Sequence, residues 1–172
     1  PRWTSPRLWK RGGFFGVQHG PYVVKNGGEM PADVAPAVDD PRFEARKKLL
    51  GDMEDSFAKQ TGDLKVEGRR ELYAKADRLM HAKSLDAFDV SKETEAVRKS
   101  YGDSAFGKAC LTAARLVTNG VRCVEVTLDG WDTHKNGFER TKKLMGDLDP
   151  AMSGLLADLE RRGKLSETLV VW

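Results

Sequence analysis

The pattern of hydrophobic and polar positions divides the chain into three stretches of different character. Residues 1–40 follow neither the alternation of a strand nor the roughly 3.6-residue period of a helix, and most of the prolines lie there. We expect a long irregular segment, which in a compact domain must lie over a larger body. The side chains predicted to anchor it are Phe14, Phe15, Tyr22, Val23 and Val24.

Between residues 41 and 100, apolar positions return every three, four or seven residues, which predicts helices. Asp40 is placed as the N-cap of the first helix, with Pro41 at its first position. A second helix after residues 61–63 should complete an αα-hairpin, and Ser91 with Thr94 and Glu95 should open a shorter helix that ends at about Ser100. The faces predicted to be buried carry Phe43, Leu49, Leu50, Met53 and Phe57 in the first helix and Leu72, Tyr73, Ala76, Leu79 and Met80 in the second.

The last stretch alternates between helical and strand-like patterns. A helix over residues 104–119 should be followed by a continuous β-branched run at residues 121–128. A long helix then carries Pro150, where it should kink or divide, and residues 168–172 return to a strand pattern. Strand, helix and strand in this order predict a βαβ unit with parallel strands, so the predicted fold class is α/β.

The segment Asp129–His134, directly after the first predicted strand, is the one site-like feature. In open parallel sheets, ligands gather at the carboxyl ends of the strands. If the chain stays extended, Asp132 and His134 project to the same side and can converge on one point. A carboxylate oxygen beside an imidazole nitrogen suits zinc, manganese or iron better than calcium or magnesium. The segment therefore predicts half of a divalent-metal site, with Trp131 as its wall.

Two other interpretations apply to the same segment. In the first, Asp132 caps the following helix and His134 is a solvent-facing residue of its first turn; spacing alone does not separate this from a ligand pair. The second is a calcium-binding EF-hand loop. It is excluded because Lys143 stands where a bidentate glutamate is required, and because a strand rather than a helix precedes the loop.

The remaining candidates for chemistry carry weaker signals. Glu125 lies within the first predicted strand, where a buried carboxylate needs a partner, so pairing with a neighbouring element is its plain interpretation. Cys110 and Cys123 should be buried and unpaired, since no Cys or His spacing indicates a metal knuckle or a redox pair. His19 in a loop and His81 late in a helix indicate no site by themselves.

Composition sets limits on function. The 172 residues include 29 basic and 26 acidic side chains with a formal net charge of +3. These charges are interleaved rather than gathered into a stripe, so nucleic acid is not implied as a partner. No stretch reaches the roughly 20 apolar residues that span a bilayer. Because the chain starts at Pro1 without a Met and stops within a predicted strand at Trp172, we expect an internal fragment of one domain.

Several runs together resemble a bacterial family of uncharacterised proteins, domain of unknown function 1501. The likeness spans nearly the whole chain, and the Gly130–His134 and Leu165–Trp172 stretches carry most of its specificity. The runs that carry it are Phe106–Leu111, Leu116–Val117, Gly120–Val126, Gly130–His134 with Asn136 and Phe138, and Leu165–Trp172.

That family is thought to be similar to alkaline phosphatases and sulfatases. The resemblance therefore implies part of a three-layer αβα fold, with an irregular loop at 1–40, a helical insert at about 41–100, an α-β-α-β core at 101–172 and one βαβ unit at 121–172. It also implies an exported protein, periplasmic or extracellular, and places Asp132 and His134 where metal ligands lie. The residues expected to support that pair are Glu125, Trp131 and Asn136.

The resulting hypothesis is a metal-dependent hydrolase of phosphate or sulfate esters, with zinc or manganese expected before calcium or magnesium. Its nucleophile and remaining ligands are expected outside this chain, so the fragment should be inactive by itself. The alternative is a non-catalytic exported binding or scaffold protein that keeps the fold and lacks the chemistry. Neither the particular substrate nor the oligomeric state follows from these residues.

Overall fold

The computed structural model describes residues 19–31, 34, 38–61 and 64–172. These residues form two compact units. The first unit holds the described residues within 1–24 and 32–82, and the second holds those within 25–31 and 83–172.

Of the side chains expected to anchor the first irregular stretch, Phe14 and Phe15 lie outside the described residues. Tyr22 and Val23 are described, and each is roughly half exposed. They therefore bury less surface than the anchoring role requires.

The first unit is built on a hairpin of two helices, α1 (Asp40–Thr61) and α2 (Leu64–Met80). Asp39 caps the start of α1, because its carboxylate accepts a hydrogen bond from the Arg42 amide at 3.0 Å. The prediction that Asp40 is the cap is therefore wrong by one residue.

Ion pairs across the hairpin set the register of its helices. Lys47 on α1 lies 2.8 Å from Asp77 on α2. Glu54 lies 3.0 Å from Arg69 and 3.5 Å from Arg70. Since the earlier α1 residue pairs with the later α2 residue, the helices run antiparallel, and the predicted αα-hairpin is confirmed.

The side chains between these helices differ from those that the apolar pattern predicts. Glu54 is 4% exposed, whereas Leu49 and Met53 are 61% and 63% exposed. On α2, Leu72 and Tyr73 are exposed as well. The predicted buried faces are wrong at these positions, because a neighbouring stripe of α1 that contains Glu54 faces α2 instead.

The core of the second unit lies between its two longest helices. Burying one large apolar side chain there contributes about 2 kcal/mol. The α-helices are α3 (Glu95–Ser100), α4 (Ala105–Thr118) and α5 (Gly137–Arg161), and short 3₁₀ helices span Lys83–Phe88, Val90–Lys92 and Leu165–Glu167. The buried core cluster consists of Tyr101, Cys110, Leu111, Ala114, Ala151 and Leu159.

Side-chain caps begin α3 and α4. The Thr94 hydroxyl accepts a hydrogen bond from the Val97 amide at 3.4 Å, and the Ser104 hydroxyl accepts one from the Gly107 amide at 3.0 Å. Each cap satisfies an amide that the first turn of a helix leaves free. The predicted start of α4 is therefore confirmed, whereas α3 begins after Thr94 and the predicted start at Ser91 lies in the preceding 3₁₀ helix.

Two glycines allow α4 and α5 to pack closely against the end of α3. A Cβ atom at Gly107 would lie 2.2 Å from the carbonyl oxygen of Tyr101, and one at Gly154 would lie 2.8 Å from that of Ser100. Any larger residue at either position must displace backbone. The α3, α4 and α5 arrangement therefore depends on the absence of a side chain at both points.

Residues 121–128 and 168–172 are not β-strands, and the described residues contain no strand at all. Neither segment makes ladder hydrogen bonds, which need a neighbouring strand about 4.8 Å away. Val126 and Val170 instead pack on the helical core cluster. The predicted α/β class, the three-layer αβα arrangement and the βαβ unit at 121–172 are therefore wrong for this structure, which is helical throughout its described elements.

The longest helix, α5, runs unbroken through Pro150, so the predicted division of this helix is wrong. Its buried residues all lie at or after Leu148. None of the described helices, α5 included, is both long and apolar enough to cross a membrane.

Both cysteines are free thiols, which confirms the prediction that they are unpaired. Cys110 is buried in α4, and burial raises its pKa to about 11. Cys123 is exposed, so the prediction that it is buried is wrong. It lies in the extended segment whose Val126 side chain packs on the core.

Candidate functional site

The segment singled out by the sequence connects the extended residues 121–128 to α5. Its backbone bends at two points: Gly130 has a φ of 105° and Asn136 has a φ of 53°. Both values lie in the left-handed region, which glycine adopts freely and asparagine tolerates. The bends separate the extended chain from the helix and leave residues 131–135 between them.

Within this segment the Asp132 and His134 side chains meet. The Oδ1 atom of Asp132 lies 2.5 Å from Nδ1 of His134, and the two side chains are 84% and 83% exposed. Residues two apart in an extended chain share a side, which explains why these two converge. A role in binding metal stays a prediction.

The capping interpretation does not describe the start of α5. Asn136 occupies the N-cap position and makes no side-chain capping hydrogen bond. Among the described contacts, Asp132 accepts nothing from a backbone amide, and its polar partner is His134. The Asp132 carboxylate is therefore not held by the start of α5, and it is accessible to a ligand from solvent.

The pair fits a metal ion only in part. Two donors on a tetrahedral zinc ion stand about 3.3 Å apart, given bond lengths near 2.0–2.1 Å. The 2.5 Å separation in this structure is too short for two ligands of one ion. A small rotation of the exposed side chains would open it. No group of three or more metal-ligating side chains occurs among the described residues, so the pair supplies two ligands and no third.

Three residues were expected to support the pair of Asp132 and His134. Glu125 is exposed, so the expectation that it is a buried carboxylate in need of a partner is wrong. Trp131 is 40% exposed and lies next to Asp132 in the chain. Asn136 ends the segment in its left-handed conformation. The supporting roles of these three residues stay predictions.

Basic side chains follow the pair into the first turns of α5. Lys135, Arg140, Lys142 and Lys143 are all exposed there, and Glu139 is the acidic residue among them. The amino end of a helix also carries a partial positive charge from its free amides. The surroundings of the pair therefore favour an anionic group.

The other two histidines lie in the first unit. His19 is exposed in the first unit. His81 follows α2, and its Nδ1 atom lies 2.9 Å from the backbone oxygen of Asp77 and 3.3 Å from its carboxylate. This contact ties His81 to the end of α2, where a cation is favoured by the helix dipole.

A buried polar network in the second unit was not singled out by the sequence. Tyr101 donates a hydrogen bond to Asp158 at 3.0 Å. Arg162 Nε lies 2.9 Å from the same carboxylate oxygen, although it is not aligned as a hydrogen bond. Arg162 also donates to Glu93 at 2.8 Å, as does Arg115 at 2.5 Å. Its members are up to 69 positions apart, so no local motif could reveal it.

The protonation states in this network follow from its contacts. Burial raises the pKa of Tyr101, and the Asp158 carboxylate raises it further. Burial acts to raise the pKa of Glu93, but hydrogen bonds from Arg162 and Arg115 outweigh it and lower that pKa. Tyr101 is thus held as a neutral donor and Glu93 as a carboxylate. Because Tyr101 donates to Asp158 and both arginines donate to Glu93, we assign the network to stability rather than to chemistry.

Comparison with known proteins places the chain in a family of unknown function. No curated protein and no solved structure matches it. The model of the family described as protein of unknown function (DUF1501) matches residues 4–172. This span covers nearly all of the 172 residues. The chain therefore belongs to the DUF1501 family.

Proposed function

We propose that this chain is part of a metal-dependent hydrolase of phosphate or sulfate esters, with Asp132 and His134 as two of the metal ligands. The observation that carries the proposal is the 2.5 Å approach of the carboxylate to the imidazole just before α5. Oxygen and nitrogen donors together suit zinc or manganese. The similarity to alkaline phosphatases and sulfatases that the sequence resemblance implies supports the ester class.

Each residue of the pair has a distinct role in this proposal. Asp132 offers an anionic oxygen and His134 offers a ring nitrogen, which together fill two positions around a divalent ion. A bound ion of this kind polarises an ester oxygen and lowers the pKa of a coordinated water. His134 must first release its direct contact with Asp132. Both side chains are exposed, so the rotation meets no packing barrier.

The charge around the pair supports an anionic substrate. Lys135 adjoins His134, and Arg140, Lys142 and Lys143 follow on the exposed side of the first turns of α5. Phosphate and sulfate esters carry negative charge, which basic side chains and a helix amino end attract. These residues would draw such a substrate towards the ligand pair without taking part in bond cleavage.

A non-catalytic binding protein is the second candidate, and one observation favours it. Asp132 and His134 are more than four-fifths exposed, whereas catalytic metal centres exclude much of the surrounding water. An exposed pair with two ligands binds an ion weakly and gives little control over a reaction. In this case the chain would bind a metal or an anion as a scaffold.

Metal titration of the purified chain tests the ligand assignment. We expect zinc and manganese to bind more tightly than magnesium or calcium in a calorimetric titration. Asp132→Ala and His134→Ala should each weaken zinc binding about tenfold or more, with unchanged helical content. Asp103→Ala and His81→Ala are matched controls, because they remove an exposed carboxylate and an exposed imidazole outside the Asp129–His134 segment. Equal zinc binding by all five proteins would remove Asp132 and His134 from the proposal.

Activity of the full-length protein separates the two candidates. A hydrolase should contain bound metal on elemental analysis and cleave a phosphate or sulfate ester of an aromatic alcohol. Asp132→Ala should abolish turnover together with the bound metal. Metal content without turnover on either ester class would favour the scaffold, and the absence of both would reject the metal site.

We also propose, on the family resemblance alone, that the protein is exported. Fractionation of bacterial cells that produce the full-length protein tests this. The protein should be recovered outside the cytoplasm, together with a periplasmic or secreted marker. Recovery with a cytoplasmic marker would overturn the assignment.

A further inference from the structure

All three asparagines of the chain, at positions 26, 119 and 136, are followed by glycine. In such a pair the main-chain nitrogen of the glycine can attack the side-chain amide of the asparagine, which converts that amide into a carboxylate. Glycine favours the attack because it has no Cβ atom to shield its nitrogen, and because its backbone rotates freely. The two reacting residues are the same in each pair, so the fold decides which pair reacts first.

The Asn119–Gly120 pair lies at the end of α4 and is held by hydrogen bonds. The side-chain amide of Asn119 donates to the carbonyl oxygen of Arg115 at 2.8 Å. The Gly120 amide, whose nitrogen would have to attack, donates to the carbonyl oxygen of Val117 at 3.0 Å. Both reacting groups are therefore engaged, and reaction there requires the end of α4 to open.

The Asn26–Gly27 pair is held by packing on α4. A Cβ atom at Gly27 would lie 2.3 Å from the Cα atom of Ala109, so the backbone of this glycine lies directly against the helix. The next amide, that of Gly28, donates to the hydroxyl of Thr112 at 2.8 Å. Rotation of the peptide between Asn26 and Gly27 would break these contacts, which restrain this pair as well.

The Asn136–Gly137 pair at the start of α5 lacks both kinds of restraint. Asn136 is exposed and makes no side-chain capping hydrogen bond. Among the described contacts, the Gly137 amide donates to no acceptor, as expected for the first amide of a helix. Bringing the two groups together gives up one hydrogen bond of the first turn, from the Arg140 amide to the Asn136 oxygen at 3.0 Å. This loss is smaller than the opening that the other two pairs require.

Backbone conformation and charge also favour reaction at this pair. Asn136 has a φ of 53°, and it is the only non-glycine residue with a positive φ among those that the structure describes. Leaving this left-handed conformation relieves strain. The Gly137 nitrogen must lose its proton as it attacks, and the partial positive charge at the amino end of α5 stabilises the resulting anion. The carboxyl end of α4, where Asn119 lies, carries the opposite partial charge.

We propose that Asn136 is a site of spontaneous deamidation, with the Gly137 nitrogen as nucleophile and water as the second reactant. The Gly137 nitrogen bonds to Cγ of Asn136 and the bond from Cγ to Nδ2 breaks. Nδ2 then leaves as ammonia, together with the proton that the Gly137 nitrogen carried. Water opens the resulting cyclic imide at either carbonyl carbon. The products are aspartate, which keeps the original backbone, and isoaspartate, whose main chain runs through Cγ.

The modification changes the charge beside the segment that holds Asp132 and His134. A carboxylate replaces a neutral amide at the N-cap of α5, two residues after His134 in the chain. An aspartate at this position interacts favourably with the helix dipole, whereas an isoaspartate lengthens the main chain where α5 begins. The proposal is independent of metal binding by the segment and of any hydrolase activity.

Peptide mass spectrometry tests the proposal on the 172-residue chain, kept in mildly alkaline buffer made with heavy-oxygen water. Each asparagine that reacts during the incubation takes up heavy oxygen, which distinguishes it from one that reacted earlier. We expect position 136 to react roughly tenfold faster than positions 119 and 26 in the folded chain, because those two react only after local opening. In concentrated urea the three positions should react at similar rates, since the fold no longer separates them.

Gly137→Ala tests which nitrogen attacks. A Cβ atom at this position would lie 3.5 Å from the Thr133 hydroxyl oxygen, its nearest contact, so the folded chain accommodates it. The variant should slow the modification of Asn136 severalfold, because the new methyl group shields the nitrogen. Gly146→Ala is the matched control, since it adds a methyl group to the same helix with no atom within 4 Å and should leave the rate unchanged. Circular dichroism should show that both variants keep their helices.

Three outcomes would overturn the proposal. The first is faster reaction at position 119 or 26 than at position 136 in the folded chain. The second is a folded chain in which Asn136 stays unmodified while the chain in urea reacts at all three positions. The third is equal slowing by Gly137→Ala and Gly146→Ala, which would exclude the Gly137 nitrogen as the nucleophile.

Discussion

The hairpin and the second unit bury opposite kinds of side chain between their helices. In the second unit, α4 and α5 enclose Leu111 and Leu159, and the charged groups at the edge of this core bond to one another. In the hairpin, Glu54 and its arginines lie between the helices, while Leu49 and Met53 face outward. Among the described residues, the second unit thus has an apolar core, whereas the hairpin exposes its larger apolar side chains.

This difference shows that the sequence of an amphipathic helix specifies which of its faces is apolar. It does not specify which part of the protein packs against that face. α4 packs its apolar face on α5 within the same chain. The corresponding face of α1 has no such partner among the described helices, because the stripe beside it carries the ion pairs with α2. Substitutions at the two faces should therefore have very different effects on stability.

The largest contrast should come from shortening buried and exposed apolar side chains. Leu111→Ala or Leu159→Ala should lower the free energy of unfolding by about 3 kcal/mol, because each leaves a cavity in the core. Met53→Ala should change it by less than about 0.5 kcal/mol when measured in dilute solution. Urea denaturation followed by circular dichroism measures both. Equal losses at Leu159 and Met53 would mean that the hairpin face is covered within the monomer.

Glycine substitutions should show the next largest difference. Gly107→Ala should destabilise the second unit by about 2 kcal/mol, because its new methyl group would meet the Tyr101 carbonyl. Gly51→Ala in α1 and Gly146→Ala in α5 meet no atom within 4 Å. Each should instead stabilise by about 0.5–1 kcal/mol through helix propensity. Thermal unfolding of the three variants checks the sign as well as the size.

Removing one hydroxyl group should give a smaller effect. Tyr101→Phe leaves the buried Asp158 carboxylate without one hydrogen bond and should cost about 1–2 kcal/mol. Tyr73→Phe in the hairpin removes a hydroxyl from a half-exposed ring and should cost less than about 0.5 kcal/mol. Comparable losses from the two variants would contradict the assignment of Tyr101 to a buried network.

The smallest effect should appear in how the free energy of unfolding changes at acidic pH. The pKa of Glu93 is lower in the folded chain than its ordinary value of 4.5. The ionised group therefore contributes stability at neutral pH, and this contribution is lost as the pH falls from about 4.5 through the folded pKa. Glu93→Gln should flatten the pH dependence in that window.

Asp77 in the hairpin provides the comparison for this acid effect. Its pKa is lowered by a hydrogen bond from Lys47, but that pair lies closer to solvent and is screened. Asp77→Asn should change the acid limb less than Glu93→Gln does. The urea midpoints of both variants, measured between neutral and acidic pH, test these two expectations. A larger change in the midpoint for Asp77→Asn than for Glu93→Gln would contradict the expected order.

Local signals along the chain predicted much of the helical structure. Thr94 and Ser104 were expected to open helices, and both hydroxyls accept the capping hydrogen bonds. These contacts span three residues, so the sequence alone contains all that they need. For α1, a cap was expected at Asp40 and lies at Asp39, since neighbouring aspartates offer the same acceptor.

The fold class could not be predicted in the same way. Residues 121–128 have the β-branched composition of a strand, but a strand also requires a neighbour to bond with. Composition describes a preference of the chain for extension and not the presence of that neighbour. Glu125 shows the consequence, since its expected burial depended on a sheet that the structure does not contain.

The candidate site was predictable to the extent that it is local. The two-residue spacing of Asp132 and His134 brought their side chains together. Their exposure was not predictable, because it depends on what packs around the segment. The network of Tyr101, Asp158 and Glu93 was missed altogether, since its partners come from distant parts of the chain.

The two halves of the continuous helix α5 should unfold separately. Pro150 has no amide proton, so the helix lacks one hydrogen bond at that point, and all of the buried residues of α5 lie at Leu148 or later. Amide protons before Pro150 should therefore exchange with solvent deuterium through local fraying, while those after it exchange only when the core opens. The segment that holds Asp132 and His134 adjoins the half that frays, so a ligand bound there would be detected first as slower exchange in residues 137–147.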